Sequence, residues 1–409
     1  STLNFLFAWR YFKAKKSTNA INVIAWVSII AIMGITFAFV VVLSVFNGFE
    51  GLVKSLYSSF YPDIKISART GKTIRVTEQQ LKQLAAVCGV RAWSLVAEEK
   101  TLLLTGDVRV LVDLKGVDSN YFNVTGVAEK LIRGNFETGT VDEPSLVLGN
   151  GVENALGIES DRYLYPLTVY AFKRSTTVNV ADPSQSLAAA NITTSGTFFI
   201  QQDIDNKYAI TNLDFMKLMM GMKAEEYSHI EVAAARGVST NDLKQAIQTV
   251  FPPSYLVETK YEQNKSLYSV MNLEKWAIYG ILTLMLIVAA FTMIGGLTML
   301  VLEKQKDIQV LKSMGANNTL IQKIFLSEGL LLAVIGSVTG LLLAIIFCWA
   351  QVRYKLIPIQ GGTFLIDYYP VTLKAGDFVL VICTVAIVAF LASWFPSKKA
   401  ALQPIELRS

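Results

Sequence analysis

Residues 302–329 read LEKQKDIQVLKSMGANNTLIQKIFLSEG, and on each side lies a long run without a charged residue, Trp276 to Leu302 and Gly329 to Ala350. Within the quoted stretch Ile308, Leu311 and Met314 recur at three-residue spacing among lysines, which predicts a short amphipathic helix exposing these three. Gly315 can take the left-handed conformation that ends such a helix, and Thr319 with Gln322 can cap the next. A lysine-dotted helix pinned between two apolar runs suits a chain that crosses a membrane, turns and crosses back.

Two further runs support that reading. Asn22 to Phe46 carries no charge and as a helix covers ~37 Å, against a hydrocarbon core of ~30 Å. Phe378 to Phe395 is equally free of charge. A lysine at bilayer mid-depth costs roughly 3 kcal/mol, so these blanks are informative in a chain that is 52% hydrophobic and 17% charged. The first run is too long for a cleaved signal and is expected to stay as an anchor. Arg10, Lys13, Lys15 and Lys16 precede it; Lys304, Lys306, Lys312 and Lys323 lie between the second and third runs; Lys398, Lys399 and Arg408 follow the fourth. The 351–377 loop holds only Arg353, Lys355 and Lys374. The positive-inside rule therefore places both termini and the quoted stretch in the cytoplasm and the long 47–275 segment outside.

That outer segment begins with period-two strands, DIKISA at 63–68 and TIRV at 73–76. A helix follows, capped by Thr77 with Gln80, buried through Leu81, Leu84 and Ala85, and ended by Gly89. Strand patterns run through RAWSLVAEE, KTLLLT and VRVLVDLKGV, and 120–136 is irregular. Later HIEVAAA, STNDLKQAIQTVF and SYLVETK repeat the order strand, helix, strand, and the echo of LKQLAAV in LKQAIQTV suggests two related β-α-β halves. Between them 143–208 alternates β-forming residues with polar turns, which predicts an inserted β-rich subdomain with an exposed hairpin near Asp182 to Gln185. From 259 to 275, Tyr261, Leu267, Tyr268 and Met271 keep helical spacing, a stalk into the second span.

No GxxxxGK[ST] phosphate loop, HExxH helix or GxSxG elbow occurs in the sequence. No catalytic residue, cofactor-binding residue or metal ligand is therefore assigned, and energy from a nucleotide would have to arrive through another subunit. Cys348 and Cys383 fall inside expected spans and Cys88 stands apart, which implies no disulfide framework. His229 is the only histidine, with no cysteine or carboxylate cluster in sequence to make it a metal ligand. The net charge of +5 sets topology and gives no reason to invoke nucleic acid.

KQKDIQVLKSMGANNTLIQKIFLSEG resembles the loop of the LolC/LolE lipoprotein-releasing permeases, part of the wider MacB/FtsX superfamily. FAWRYFKAKK before the first span, VLSVFNGFE at its outer end, SLVLGNGVENALGI in the outer domain and FPSKKAALQPIELR at the carboxyl end agree in layout and order. SDRY stands where the family usually has Gly-Asp, and PIELR is one residue shorter than its common ending. The resemblance implies a membrane protein with four transmembrane α-helices plus a large periplasmic α+β domain, MacB-like, whose β-α-β porter part carries an inserted β-rich sabre part. The expected layout is a cytoplasmic amphipathic segment 1–21, spans at 22–46, 276–302, 329–350 and 378–395, and a periplasmic domain 47–275. Within that domain the porter covers 47–142 and 209–258, the insert 143–208 and the stalk 259–275. A coupling segment occupies 303–328, a periplasmic loop 351–377 and a cytoplasmic tail 396–409.

It also implies a role in the bacterial inner membrane: a permease, not itself an enzyme, that takes lipoproteins from the outer leaflet to a periplasmic carrier. A cytoplasmic ABC ATPase dimer would hold the ATP and Mg, and a second permease subunit, the same chain or a paralogue, would complete the complex among membrane lipids. Lys306, Asp307, Ile308, Leu311, Lys312, Met314 and Gly315 would form the coupling helix on the ATPase, with Ile308, Leu311 and Met314 packed and Asp307 and Lys312 at the rim. Leu43, Phe46, Phe49, Leu52 and Leu56, facing Leu267, Val270 and Met271, would wall a lipid cavity, or else be plain core. Gly336 and Gly340 would let helices approach closely. The competing expectations are an FtsX-like permease that activates a cell-wall hydrolase, a MacB-like efflux permease, and a membrane-anchored adhesion or sensor protein without an ATPase.

Overall fold

Apolar residues propagate a single helix, α1 (Asn19–Phe60), through and beyond the first expected span. The computed structural model describes residues 19–162, 165–173, 187–359 and 368–402. They divide into a helical unit, drawn from the stretches up to Leu52, from Ser269 to 359 and from Tyr368 on, and a mixed unit running Val53–Tyr268.

In the mixed unit β1 (Ile64–Ala68) and β2 (Ile74–Arg75) lead into α2 (Glu78–Ala86). Thr77 caps α2, its hydroxyl accepting from the Gln80 N–H while Gln80 Oε1 accepts from the Thr77 N–H at 3.0 Å. Leu84 is buried beneath the helix, while Ala85, expected in the same stripe, is exposed. The long hairpin β3 (Val90–Thr105) and β4 (Val108–Val117) turns on Gly106 at φ +55°, a conformation glycine adopts without strain. The stretch beyond β4 holds the single turn α3 (Tyr121–Val124) and β5 (Leu131–Gly134). There follow β6 (Ser145–Gly149), α4 (Asn150–Leu156), β7 (Leu167–Phe172), β8 (Leu187–Phe198), α5 (Gln202–Asp205), β9 (Tyr208–Asn212) and α6 (Leu213–Met220). The unit closes with β10 (Glu226–Tyr227), β11 (His229–Ala234), α7 (Thr240–Val250) and β12 (Tyr255–Thr259).

Among the described residues ten strands form one sheet in the order β12-β1-β11-β3-β4-β9-β6-β8-β5, with β7 against β3 and β8. The two β-α-β halves, β1-α2-β3 and β11-α7-β12, interleave, since β11 lies between the strands of the first and β1 between those of the second. All three pairings are antiparallel, the arrangement of a ferredoxin-like split β-α-β. Ile64, Ile66, Leu84, Val232, Leu243, Ile247 and Val257 bury the face that α2 and α7 cover. The 143–208 stretch does not form a sheet of its own. Its strands extend the common sheet, because β3 is long enough for Thr101–Leu104 to pair with β7, and Leu146, Leu148 and Val169 join the same core.

A short helix, α8 (Lys260–Gln263), is boxed by Thr259 and Glu262 and broken at Asn264, so the expected stalk is two helices. The second continues as α9 (Lys265–Glu303); α10 (Gln305–Ser313), α11 (Asn318–Tyr354) and α12 (Ala375–Ala401) complete the chain. Among the described residues four helices, α1, α9, α11 and α12, are long and apolar enough to cross a membrane. They share one core in which Phe39 and Leu43 meet Leu286, Met293, Leu332, Val381 and Val385. Gly336 and Gly340 face the α1 backbone: a Cβ at Gly336 would stand 2.9 Å from the Ile29 carbonyl oxygen, and one at Gly340 2.5 Å from that of Met33. Gly295 in α9 has open space around it. Leu284, Val288 and Phe291 turn outward from α9, an apolar surface that only lipid or another apolar helix would stabilise.

Candidate functional site

α10 is set off from α9 by Lys304, whose ψ of 11° leaves the helical range, and from α11 by Gly315 at φ +93°. The Ala316 N–H reaches back to the Leu311 carbonyl and the Gly315 N–H to that of Lys312, both at 3.0 Å. Asn317, rather than the expected Thr319 with Gln322, caps α11: its side-chain oxygen accepts from the Leu320 N–H at 2.8 Å.

The expected exposed triplet divides. Ile308 is 2% exposed and packs on Val301, Ile321, Phe325 and Ala400, so it anchors α10 to its own helices instead of offering itself to a partner. The reason is periodic: at 3.6 residues per turn, residues three apart drift round the helix, and Ile308 takes the inward face while Met314 does not. Leu311 is half-buried. The outward apolar pair is Val310, 59% exposed, and Met314, 79% exposed, flanked by exposed Lys306 and Asp307. Sequence reading missed Val310, although its four-residue spacing from Met314 was the available signal. Lys312 is not a rim group either. Its Nζ donates to the Ala401 carbonyl at 3.0 Å, placing a cation on the last turn of α12, where it complements the helix dipole. Asp307 pairs with Lys304 at 3.1 Å. The result is a short helix fixed from behind by Ile308 and Lys312 and presenting a small apolar patch between charges.

Two residues of the expected cavity wall are taken up in packing. Leu43, 1% exposed, belongs to the four-helix core, and Leu56 is buried as well; neither lines open space. Phe46, Phe49, Leu52, Leu267 and Met271 are half-buried and Val270 exposed. Phe49 meets Tyr369 edge to face at 5.7 Å. Leu56 and Leu267 belong to the mixed unit, the other six to the helical one. The hairpin at 182–185, most of the 1–21 segment and the PIELR ending lie outside the described residues.

Two polar clusters were not legible in sequence. At one end of the helical unit Asn47, Lys275 and Asp377 join α1, α9 and α12. In the mixed unit Lys115 and Glu231, on β4 and β11, are fully buried 2.6 Å apart. Lys115 also donates to the Tyr121 hydroxyl at 3.2 Å and lies 4.8 Å from the ring centres of Phe60 and Tyr121. Burial pushes the Glu231 carboxyl up, but Lys115 and His229 outweigh it and hold the group down at about 2. Burial opposes the Lys115 ammonium too, yet Glu231 keeps it above its ordinary value. His229 sits 3.0 Å from Glu231 Oε1, and burial keeps the imidazole below its ordinary value, a core partner of Glu231. Among the described residues no histidine, cysteine and carboxylate cluster could hold a metal. A cleft of about 370 Å³ beside this network is lined by Lys65, Glu98, Lys100, Asp113, His229 and Glu258, walls too polar for an acyl chain.

Residues 279–405 match the model of the FtsX-like permease C-terminal family. Over 427 aligned positions the chain is 28% identical to the lipoprotein-releasing system transmembrane protein LolC of Neisseria meningitidis serogroup B, with 98% of each chain covered. The corresponding LolE protein of Haemophilus influenzae is 23% identical, with 99% of each covered. The crystallised periplasmic region of MacB from Actinobacillus actinomycetemcomitans is 11% identical, matching 53% of this chain and 98% of that one at a TM-score of 0.36.

Proposed function

We propose that this chain, an FtsX-like permease that resembles LolC and LolE along nearly its whole length, is the membrane subunit of an ABC-type lipoprotein-releasing machine. It crosses the bacterial inner membrane four times, holds its mixed unit in the periplasm, and pairs with a second permease subunit over a cytoplasmic ATPase dimer. Lipoproteins leave the outer leaflet for a soluble periplasmic carrier, and the ATPase supplies the work. Burying acyl chains stabilises the membrane-bound state by ~0.8 kcal/mol per methylene, so release without a coupled energy source would be very slow.

The observation that carries this reading is α10. A helix braced by Ile308 and Lys312, with Val310 and Met314 facing out, is a rigid lever between two spans, suited to seating in a partner's apolar groove. The lysines between α9 and α11 support a cytoplasmic position for it.

The test is purification of the full chain from bacterial membranes with its co-expressed ATPase. Acylated peptides should copurify, and ATP with a carrier should strip them. A complex that retains the ATPase but never acylated peptides, and instead binds a cell-wall hydrolase, would establish the mechanotransmission alternative. Val310→Asp with Met314→Asp should weaken ATPase recovery roughly thirtyfold, the loss of about 2 kcal/mol at a central apolar contact, while membrane insertion stays normal. Undiminished recovery would remove α10 as the contact.

A further inference from the structure

At the end remote from α10, α11 closes in a tight reversal. Its last residue is Tyr354, and Lys355 ends it at φ 51°, the one positive φ outside glycine among the described residues. A lysine adopts that conformation rarely, so its surroundings must hold it there. Gln351 does so. This side chain is 1% exposed; its Oε1 accepts from the Ile357 N–H at 3.0 Å, and its Nε2 donates at 3.2 Å to the carbonyls of both Ile357 and Tyr369. The Lys355 N–H returns to the Gln351 carbonyl at 2.9 Å and the Tyr369 N–H to that of Ile357 at 3.2 Å, while Pro358, which has no N–H, bridges Tyr368. The chain thus doubles back, bringing Ile357 within a side chain's reach of the point where the charge-free run of α11 ends.

The outside of this turn is apolar and uncovered. Leu356 is 58% exposed and Ile357 44%, with Val352 and Tyr354 exposed beside them. Water would satisfy the backbone of such a turn without help from a buried glutamine; hydrocarbon would not, and there each N–H and C=O must be met from within. Along α11 the exposed residues Leu342, Ile346, Trp349 and Arg353 follow at spacings of four, three and four, one face that passes from aliphatic through aromatic to cationic. That order matches the passage from acyl chains to the aromatic-rich boundary to the phosphates. Trp349 meets Tyr354 edge to face at 6.0 Å. Trp276 of α9, also exposed, follows Lys275, whose bond to Asp377 puts it at the same end of the bundle.

We propose that residues 352–358 form a rigid wedge seated in the periplasmic leaflet, with Leu356 and Ile357 among the upper acyl chains and Arg353 at the phosphates. Phospholipid is the occupant, because the wedge continues the outward apolar face of α11 without a break. It requires only that α11 cross a membrane with the mixed unit in the periplasm. Its consequence, crowded headgroups in the leaflet from which cargo is drawn, rests on the release reading.

The experiment irradiates the full chain, with Leu356→benzoylphenylalanine as a photoactivatable probe, in vesicles of phosphatidylethanolamine and phosphatidylglycerol, and identifies adducts by mass spectrometry. Ile387 of α12 and Gln79 of α2, both exposed, carry the same probe as lipid and water references. Phospholipid adducts at 356 should match those at 387 and exceed those at 79 at least about tenfold, the partition expected of one leucine-sized side chain. Adducts with protein alone at 356 would mean that the turn faces another subunit, and none at all, with 387 labelled normally, that it faces water; either overturns the wedge. Gln351→Met should cut the phospholipid adducts at 356 about fivefold, the loss of roughly one net hydrogen bond, while those at 387 stay unchanged. An undiminished yield would overturn the role of Gln351 in seating the turn. These results are read whether or not acylated peptides copurify, so failure of the wedge and failure of the release reading are separately visible.

Discussion

Lys275 Nζ of α9 lies 3.1 Å from Asp377 Oδ1 of α12. Asn47 of α1 bridges the two, accepting from Lys275 at 3.2 Å and donating to Asp377 Oδ2 at 2.5 Å. Three helices are thus tied by one charge-assisted cluster, reinforced by Lys374 on Glu50 at 3.0 Å. Asp377→Ala would leave Lys275 half-buried without its counter-charge and should cost about 1–2 kcal/mol, discounted for partial exposure. Thermal melting of the detergent-solubilised chain reads this, and the exchanged pair Lys275→Asp with Asp377→Lys should recover part of the loss. An unchanged melting point in Asp377→Ala would show that the cluster holds nothing together.

Close approach of α11 to α1 gives a graded prediction. Gly340→Ala sets a Cβ 2.5 Å from the Met33 carbonyl oxygen and 3.0 Å from Thr36 Cβ, and overpacking of this kind costs about 1–3 kcal/mol. Gly336→Ala, with nearest atoms at 2.9 and 3.0 Å, should cost less. Gly295→Ala meets nothing within 4 Å and should be neutral or slightly stabilising. Melting temperatures in the order Gly295→Ala, Gly336→Ala, Gly340→Ala, highest first, are the expected result; equal values would contradict the packing.

The Lys115–Glu231 pair predicts how the mixed unit responds to acid. Because the folded Glu231 carboxyl is held from its ordinary 4.5 down at about 2, its contribution is complete above about pH 4.5 and is lost as pH falls toward 2. Hydrogen exchange of the β4 and β11 amides should accelerate across that window. Glu231→Gln, which strands a buried ammonium, should destabilise the unit by roughly 3–5 kcal/mol at neutral pH and flatten the acid response. Acid sensitivity that persists in Glu231→Gln would assign it to other carboxylates.

What could be read from the sequence was what local pattern determines. Charge-free runs of span length, the Thr77 and Gln80 box, the turn at Gly315 and the repeated strand-helix-strand order are all written within a few neighbouring residues. What could not be read depends on partners distant in the chain. Nothing near Ile308 reveals that Ala400 and Phe325 cover it, and a three-residue spacing by itself does not distinguish the docked face of α10 from the outward one. Leu43 has the same apolar surroundings in sequence whether it faces lipid or core. The insert looked independent because its composition is strand-like, whereas membership of a sheet is decided by β3, which begins more than fifty residues earlier.

The chain enters the sheet of the mixed unit at Ile64 and leaves it at Thr259, and these two residues are register partners at one end of the β1–β12 pair. Asp63 and Lys260 fasten that end, through a backbone bond of 3.0 Å and an ion pair of 2.9 Å. Tethers joined to adjacent strands at a shared end give the hardware of a zip: drawn together in one direction they carry the whole sheet as a single load, but forced apart they place the stress on its first tooth.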